Sequence, residues 1–162
     1  MLKIINSIYD LSFSELVHVY SESISANGAL YFPTLDPYYQ RIEAEQDLYH
    51  YLCTFFKTPG AYMCAWMEDN VCVSIVRLEP YQDGMLISAL ETAPEYRGLG
   101  YATKLLSAVT KGNRYYSHVA IDNIASLIAH KKAGFSVLTD YARFIDGSVD
   151  RNSYTLEKHA DL

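Results

Sequence analysis

The sequence predicts an α+β fold: a mixed, mostly antiparallel sheet of about six to seven strands flanked by about four helices. Two observations carry this. Apolar residues recur at helical intervals up to about residue 56, and after Pro59-Gly60 the pattern turns to alternating, β-rich runs. A helical stripe then separates the run 85–92 from the run 115–121, and a strand–helix–strand connection within one sheet makes those two strands parallel.

The elements follow in order. Residues 2–6 form a short apolar run that reads as a first strand. Ser12 and Glu15 have capping-box spacing, and Phe13, Leu16, Val17 and Tyr20 recur at helical intervals, which predicts a helix over 12–25. Asn27-Gly28 and Pro33 mark residues 26–35 as a loop. Asp36-Pro37 then supplies a capping carboxylate and a first-position proline for a helix reaching about residue 56. Runs at 61–67, 71–79 and 85–92, separated by Glu68-Asp69-Asn70 and Asp83-Gly84, predict three consecutive antiparallel strands. Leu99, Ala102, Leu105, Leu106 and Val109 make the helix over 98–111; a strand at 115–121 and a helix at 124–133 follow, with Gly134 as C-terminal cap. Residues 135–144 and 153–158 complete a final antiparallel pair.

Composition narrows the function classes. With 162 residues and half of them apolar, the chain suits one compact domain over 1–162. No charged-then-apolar leader opens it and no apolar run approaches the about 20 residues a bilayer needs, so a soluble, cytoplasmic protein with no membrane partner is expected. Cys53, Cys64 and Cys72 lack C-x-x-C spacing and read as free thiols in a reducing compartment; no metal site is expected. A net charge of −6 without a basic helix face argues against nucleic acid and favours a cationic partner. Tyr31, Tyr38, Tyr39, Tyr49 and Tyr51, among 15 tyrosines, read either as pocket lining or as ordinary core and surface.

The most informative segment is Arg97-Gly98-Leu99-Gly100-Tyr101-Ala102-Thr103, a glycine turn between a strand pattern and a helix pattern. Glycine lets backbone approach a ligand closely, and the free N–H groups of the helix's first turn make an anion cradle, for which a phosphate or pyrophosphate is the natural occupant. The carboxyl ends of the two parallel strands face the same way, and ligands of open α/β sheets dock at that edge.

Arg97-Gly98-Leu99-Gly100-Tyr101-Ala102, and then Asn123-Ile124-Ala125-Ser126 followed by His130 and Gly134-Phe135, are two signatures in a fixed order with one strand between them. Through them the chain resembles the GNAT superfamily of acyl-CoA-dependent N-acetyltransferases, most closely over residues 61–140. The resemblance implies a splayed parallel pair of central strands, an acyl-CoA-binding core over 61–140 and acceptor-side helices over 12–57. It implies acetyl-CoA as co-substrate: Leu90, Glu91 and Thr92 along its pantetheine arm, and Gly98, Leu99, Gly100, Tyr101, Ala102 and Thr103 around its pyrophosphate. Arg97 adds charge there, and Asn123 and Ser126 lie on the helix flanking the CoA arm. Relatives transfer the acetyl group directly, with both substrates bound.

Transfer to an amine needs a deprotonated nucleophile, stabilisation of the oxyanion and a proton for the departing thiolate. Asn123, Ser126 and His130 share one helix face at i, i+3, i+7. His130 stands where many relatives carry a tyrosine that protonates the CoA sulfur. A histidine with pKa about 6.5 is only about a quarter protonated at pH 7. His130 therefore reads either as proton donor or thiol-positioning group, or as a packing residue; in the first case His130→Phe lowers turnover about tenfold or more. His118, in the strand before Asn123, and Glu91, at the end of the other splayed strand, are the two candidates for general base, and Glu91 alternatively meets the acceptor's cation. Asp36, Glu43, Glu45 and Asp47 among the tyrosines suit a cationic amine of a small molecule or peptide, though a solvated helix face explains the same acids. The competing class is a non-catalytic acyl-CoA sensor or scaffold; a third, acetylation of charged transfer RNA, is disfavoured by the acidic balance. A homodimer is compatible with the sequence.

Overall fold

Alternation along one central strand sets the layers. In the computed structural model, which describes residues 1–159, Met63, Ala65 and Met67 enter one core while Cys64 and Trp66 enter or border the other. The described residues form nine strands: β1 (Leu2–Ile5), β2 (Tyr62–Glu68), β3 (Val71–Tyr81), β4 (Gly84–Thr92), β5 (Tyr115–Ala120), β6 (Ser136–Thr139), β7 (Ala142–Arg143), β8 (Val149–Asp150) and β9 (Ser153–Lys158). Seven of them make a sheet in the order β1-β2-β3-β4-β5-β9-β6, and β7 with β8 makes a separate hairpin. Every neighbouring pair is antiparallel except β4 and β5.

Helices α1 (Phe13–Val19), α2 (Ser21–Tyr31) and α3 (Pro37–Phe55) cover one face, where Leu16, Val19, Ile24 and Leu52 pack with Met63 and Ile75. On the opposite face α4 (Tyr101–Val109) brings Leu105, Leu106 and Val109, and α5 (Ile124–Lys132) brings Leu127 and Ala129, against the core of Val76, Leu78, Ile87 and Leu156. Leu16, Leu52, Leu105 and Leu106 are fully buried, each contributing about 1.5–3 kcal/mol relative to exposure.

The N-terminal helices depart from the sequence pattern. The helix expected over 12–25 breaks at Tyr20 (φ −89°, ψ 13°), and its second part continues through Asn27-Gly28 to Tyr31, giving five helices rather than about four. Gly28 serves contact rather than turning: a Cβ there would lie 2.7 Å from the Gln40 carbonyl oxygen, so glycine is what lets α2 approach α3. The capping box does not form either. Ser12 makes no side-chain cap, and Glu15 instead accepts the Cys72 N–H at 3.2 Å. The start of α3 is as expected, with Asp36 accepting from Tyr38 and Tyr39 ahead of Pro37. The run 135–144 divides into β6 and β7.

The feature that makes a site is the separation of the parallel pair. β4 and β5 are hydrogen-bonded only from Met85 with Tyr115 to Ile87 with Ser117. Just beyond, Ile75 of β3 pairs with Glu91 whereas Arg77 pairs with Ser88, so Ala89 and Leu90 both oppose Val76. This is a β-bulge, which twists β4 away and ends the ladder. Ala89 takes φ +49°, a left-handed conformation costing alanine about 1–2 kcal/mol. The Tyr20 hydroxyl holds it, donating to the Ala89 carbonyl at 2.8 Å, and buried Ser74 donates to the Glu91 carbonyl at 2.9 Å.

Candidate active site

The splay opens a cleft of about 590 Å³ between the end of β4, the glycine turn and α5. On the turn side, Gly98 (φ +74°) and Gly100 (φ +83°) take conformations that suit glycine, and neither would present a Cβ to any described atom within 4 Å. The first helical bond of α4 runs from the Lys104 N–H to Gly100 at 3.0 Å; from Gly98 to Thr103 no main-chain N–H meets an acceptor among the described residues. Unsatisfied N–H groups at the start of a helix, faced by open space, fit a pyrophosphate. Leu99 itself is exposed and does not border the cleft, while Gly98, Gly100, Tyr101, Ala102 and Thr103 do.

Arg97 is engaged before any ligand arrives. Its guanidinium pairs with Glu22 of α2 at 2.5 Å and donates to the Thr92 carbonyl at 3.1 Å, tying α2 to the end of β4. Across the cleft, Asn123 caps α5 by accepting the Ser126 N–H at 3.2 Å. Asn123, Ser126, Ala129 and Lys132 form the α5 wall.

His130 is not on that wall. Its ring is buried, packed edge-to-face on Phe135 at 5.1 Å, with Nδ1 2.8 Å from the Ser126 carbonyl oxygen. A carbonyl only accepts, so Nδ1 carries the proton, and Nε2 has no partner among the described residues. Burial lowers the pKa of His130 below the usual histidine value, which keeps the ring neutral at pH 7. His130 shares its helix face with Ser126, which does border the cleft, but its ring folds back onto the Ser126 carbonyl and against Phe135, into the core. His118 is likewise held away from the cleft lining, edge-to-face between Tyr81 at 5.5 Å and Phe144 at 5.5 Å, half-buried, with a pKa lowered by burial.

Glu91 is the predicted residue that the fold brings to the centre. The bulge turns it onto the α1–α3 face with Ile75, where it accepts from Ser23 of α2. Burial raises its carboxyl pKa above the ordinary value; the Ser23 hydroxyl and the Arg97 and Arg77 charges pull the other way. Glu91 and Ser23 border the cleft and also a second cavity of about 470 Å³ between α2, α3 and β3. Tyr20, Tyr31, Phe32 and Tyr51 give this second cavity aromatic walls; Asp47 and Arg77 give it charge. Of the four acids Asp36, Glu43, Glu45 and Asp47, only Asp47 joins it: Asp36 caps α3, Glu45 pairs with Arg41 at 2.9 Å, and Glu43 does not border it.

Ser23, Tyr20 and Arg77 carried no local signal, because α2 and β3 meet β4 only through the fold. Lys104 and Lys132 were also missed; with Trp66 they border a third cavity of about 490 Å³ that shares Gly100, Thr103 and Lys132 with the cleft. The cysteines are free, and burial pushes the thiols of Cys64 and Cys72 up to about 11 and about 12. Among the described residues no helix is long and apolar enough to cross a membrane.

The family model of the acetyltransferase (GNAT) family matches residues 28–135, which span α3, the bulged strand, the glycine turn and α5. The chain belongs to this family. No curated protein matches it. The fold of this GNAT member is similar to that of PaiA N-acetyltransferase from Thermoplasma acidophilum in complex with coenzyme A (18% identity, TM-score 0.64, 98% of this chain and 99% of that one). It is also similar to a GNAT family acetyltransferase from Bacillus cereus ATCC 10987 (17% identity, TM-score 0.65, 100% and 99% covered). A third similar structure is an acetyltransferase from Streptococcus agalactiae 2603 (20% identity, TM-score 0.62, 98% of each chain covered).

Proposed function

We propose that this GNAT member transfers an acetyl group from acetyl-CoA to a primary amine of a small molecule or peptide, by direct attack with both substrates bound. The observation that carries this is the shared wall at Ser23 and Glu91: a cleft with an unpaired N–H array along the glycine turn has these two residues in common with an aromatic, acid-bearing cavity. The residues fit acetyl-CoA, with Gly98 to Thr103 holding the pyrophosphate, Leu90 to Thr92 lining the pantetheine arm, and Lys104 and Lys132 facing the remaining phosphate. The thioester supplies an activated acyl carbon.

The rest falls to this chain's own groups. An ammonium entering the second cavity meets the tyrosine faces, Asp47 and Glu91. Glu91, whose carboxyl pKa burial raises, takes the amine proton when ionised, and Ser23 orients its carboxylate. The nitrogen lone pair then attacks the acyl carbon; the N–C bond forms, the C–S bond breaks, and the second proton shed by the nitrogen goes to the departing thiolate, giving the amide and CoA thiol. A thiol of pKa about 8.5 leaves without a strong acid, which suits a site whose His130 is neutral and turned inward. The buried thiols of Cys64 and Cys72 stay protonated and form no acyl-enzyme, and free thiols fit a cytoplasmic location.

The test is release of CoA thiol from acetyl-CoA across a panel of amines, with mass spectrometry of the acceptor. One acetylated amine per CoA released is the expected result. Tight CoA binding with no amine-dependent release identifies a sensor or scaffold instead.

A further inference from the structure

We infer that the amine acceptor also carries a carboxylate, which Arg77 binds at the far side of the second cavity; this rests on the amine-acetylation reading and names its substrate class. Arg41, Arg97 and Arg114 each pair with a carboxylate at 2.9 Å or less. Arg77 does not. Its guanidinium makes no hydrogen bond and no ion pair to any described residue, and its buried Nε is without a partner. One face is covered by the Tyr51 ring at 4.5 Å, with Phe55 at 5.9 Å. The guanidinium sits half-buried in the wall of a cavity with no ion pair or hydrogen bond to any described residue, the acids nearby acting on it only at a distance. Leaving a fixed charge in that state is costly unless a ligand completes it.

The arrangement also sets the distance and sign of what completes it. Arg77 pairs with Met63 and Glu91 with Ile75, so both lie on the α1–α3 face one diagonal step apart across β3 and β4, a separation of about 7–8 Å between such neighbours. A planar guanidinium stacked on one side presents its edge, the geometry that receives a carboxylate through two parallel hydrogen bonds. Asp47 and Glu91 border the same cavity, and Glu79 stands two residues along β3, so one guanidinium stands among several acids. That balance accepts one negative charge accompanied by an ammonium and disfavours a doubly charged phosphate. The occupant is thus an amino acid or the amine end of a short peptide with a nearby carboxylate, rather than a polyamine.

Matched amines that differ only in the carboxylate test this: lysine against cadaverine, and phenylalanine against phenethylamine, with phosphoethanolamine as the phosphate comparator. Losing a charge-assisted pair is worth about tenfold to a hundredfold in affinity, so the carboxylate-bearing member is expected to show a kcat/KM higher by that factor, chiefly through KM. Arg77→Gln is expected to reduce the ratio to within about twofold, and Arg77→Lys to restore part of it. The same amines titrated calorimetrically into protein saturated with CoA read the preference without turnover, so an inactive enzyme still tests the inference. A separate titration of CoA alone into each variant reports whether it is folded. Equal binding of both members of each pair, a preference for phosphoethanolamine, or Arg77→Gln weakening both members alike would overturn it.

Discussion

Replacing Gly100 by alanine separates a ligand cradle from a mere helix start. At φ +83° the new side chain costs about 1–2 kcal/mol of backbone strain. Its Cβ meets no described atom within 4 Å, so no packing penalty adds to that. For a chain of this size the loss corresponds to a fall in melting temperature of about 2–8 °C. The effect on CoA is separate. The methyl group would stand in the mouth of the unpaired N–H array, where displacing a phosphate oxygen by one hydrogen bond removes about 1.5–3 kcal/mol. Every 1.4 kcal/mol is tenfold in Kd, so CoA binding is expected to weaken about tenfold or more. Isothermal titration of CoA and of pantetheine, which lacks the pyrophosphate, into wild type and Gly100→Ala resolves the two effects. The cradle requires CoA to weaken while pantetheine does not. CoA binding within twofold of wild type, or an equal loss for both ligands, would refute the reasoning.

Two further substitutions probe positions where the structure departs from the sequence pattern. Gly28→Ala places a Cβ 2.7 Å from the Gln40 carbonyl oxygen and is expected to destabilise the fold by about 1–3 kcal/mol, seen as a lower urea midpoint at unchanged m-value; an unchanged midpoint would show that α2 and α3 do not touch there. His130→Phe puts a somewhat larger ring in a buried site and removes both the unpartnered Nε2 and the Nδ1–H bond to Ser126, so a loss of about 1–3 kcal/mol in stability is expected while kcat stays within about threefold, because a neutral ring whose proton is committed to Ser126 has none to give. A tenfold fall in kcat with normal CoA affinity would return His130 to the chemistry.

The parts legible in the sequence were those written locally. Strand alternation, the Asp36-Pro37 start and the glycine turn each depend on a few adjacent residues, and each forms as expected. The same local logic failed where tertiary contact decides. Asn27-Gly28 reads as a turn, yet the glycine is spent on helix approach, and Glu15 leaves its capping box for the Cys72 N–H. His130 lies on the same helix face as Ser126 of the cleft wall, yet its ring folds back to the Ser126 carbonyl and Phe135, a choice of side-chain direction that spacing rules do not resolve. His118 lies in its expected strand, but Tyr81 and Phe144, from distant segments, close around it. The second cavity was the least legible, since Tyr20, Ser23, Asp47, Arg77 and Glu91 come from α2 and its flank, α3, β3 and the bulge of β4. No spacing along the chain joins them.

The central claim is that Glu91, at the junction of cleft and cavity, takes the proton of the amine. The direct measurement is the pH dependence of kcat/KM for wild type and Glu91→Gln with one accepted amine. Glu91 acts as base only when ionised, and its carboxyl titrates above the ordinary value, so wild-type activity rises with pH through that raised pKa. Glu91→Gln is expected to lose this acidic limb and about 10²–10⁴-fold in rate, with CoA affinity retained. A variant that keeps both the limb and a rate within threefold of wild type would contradict the account.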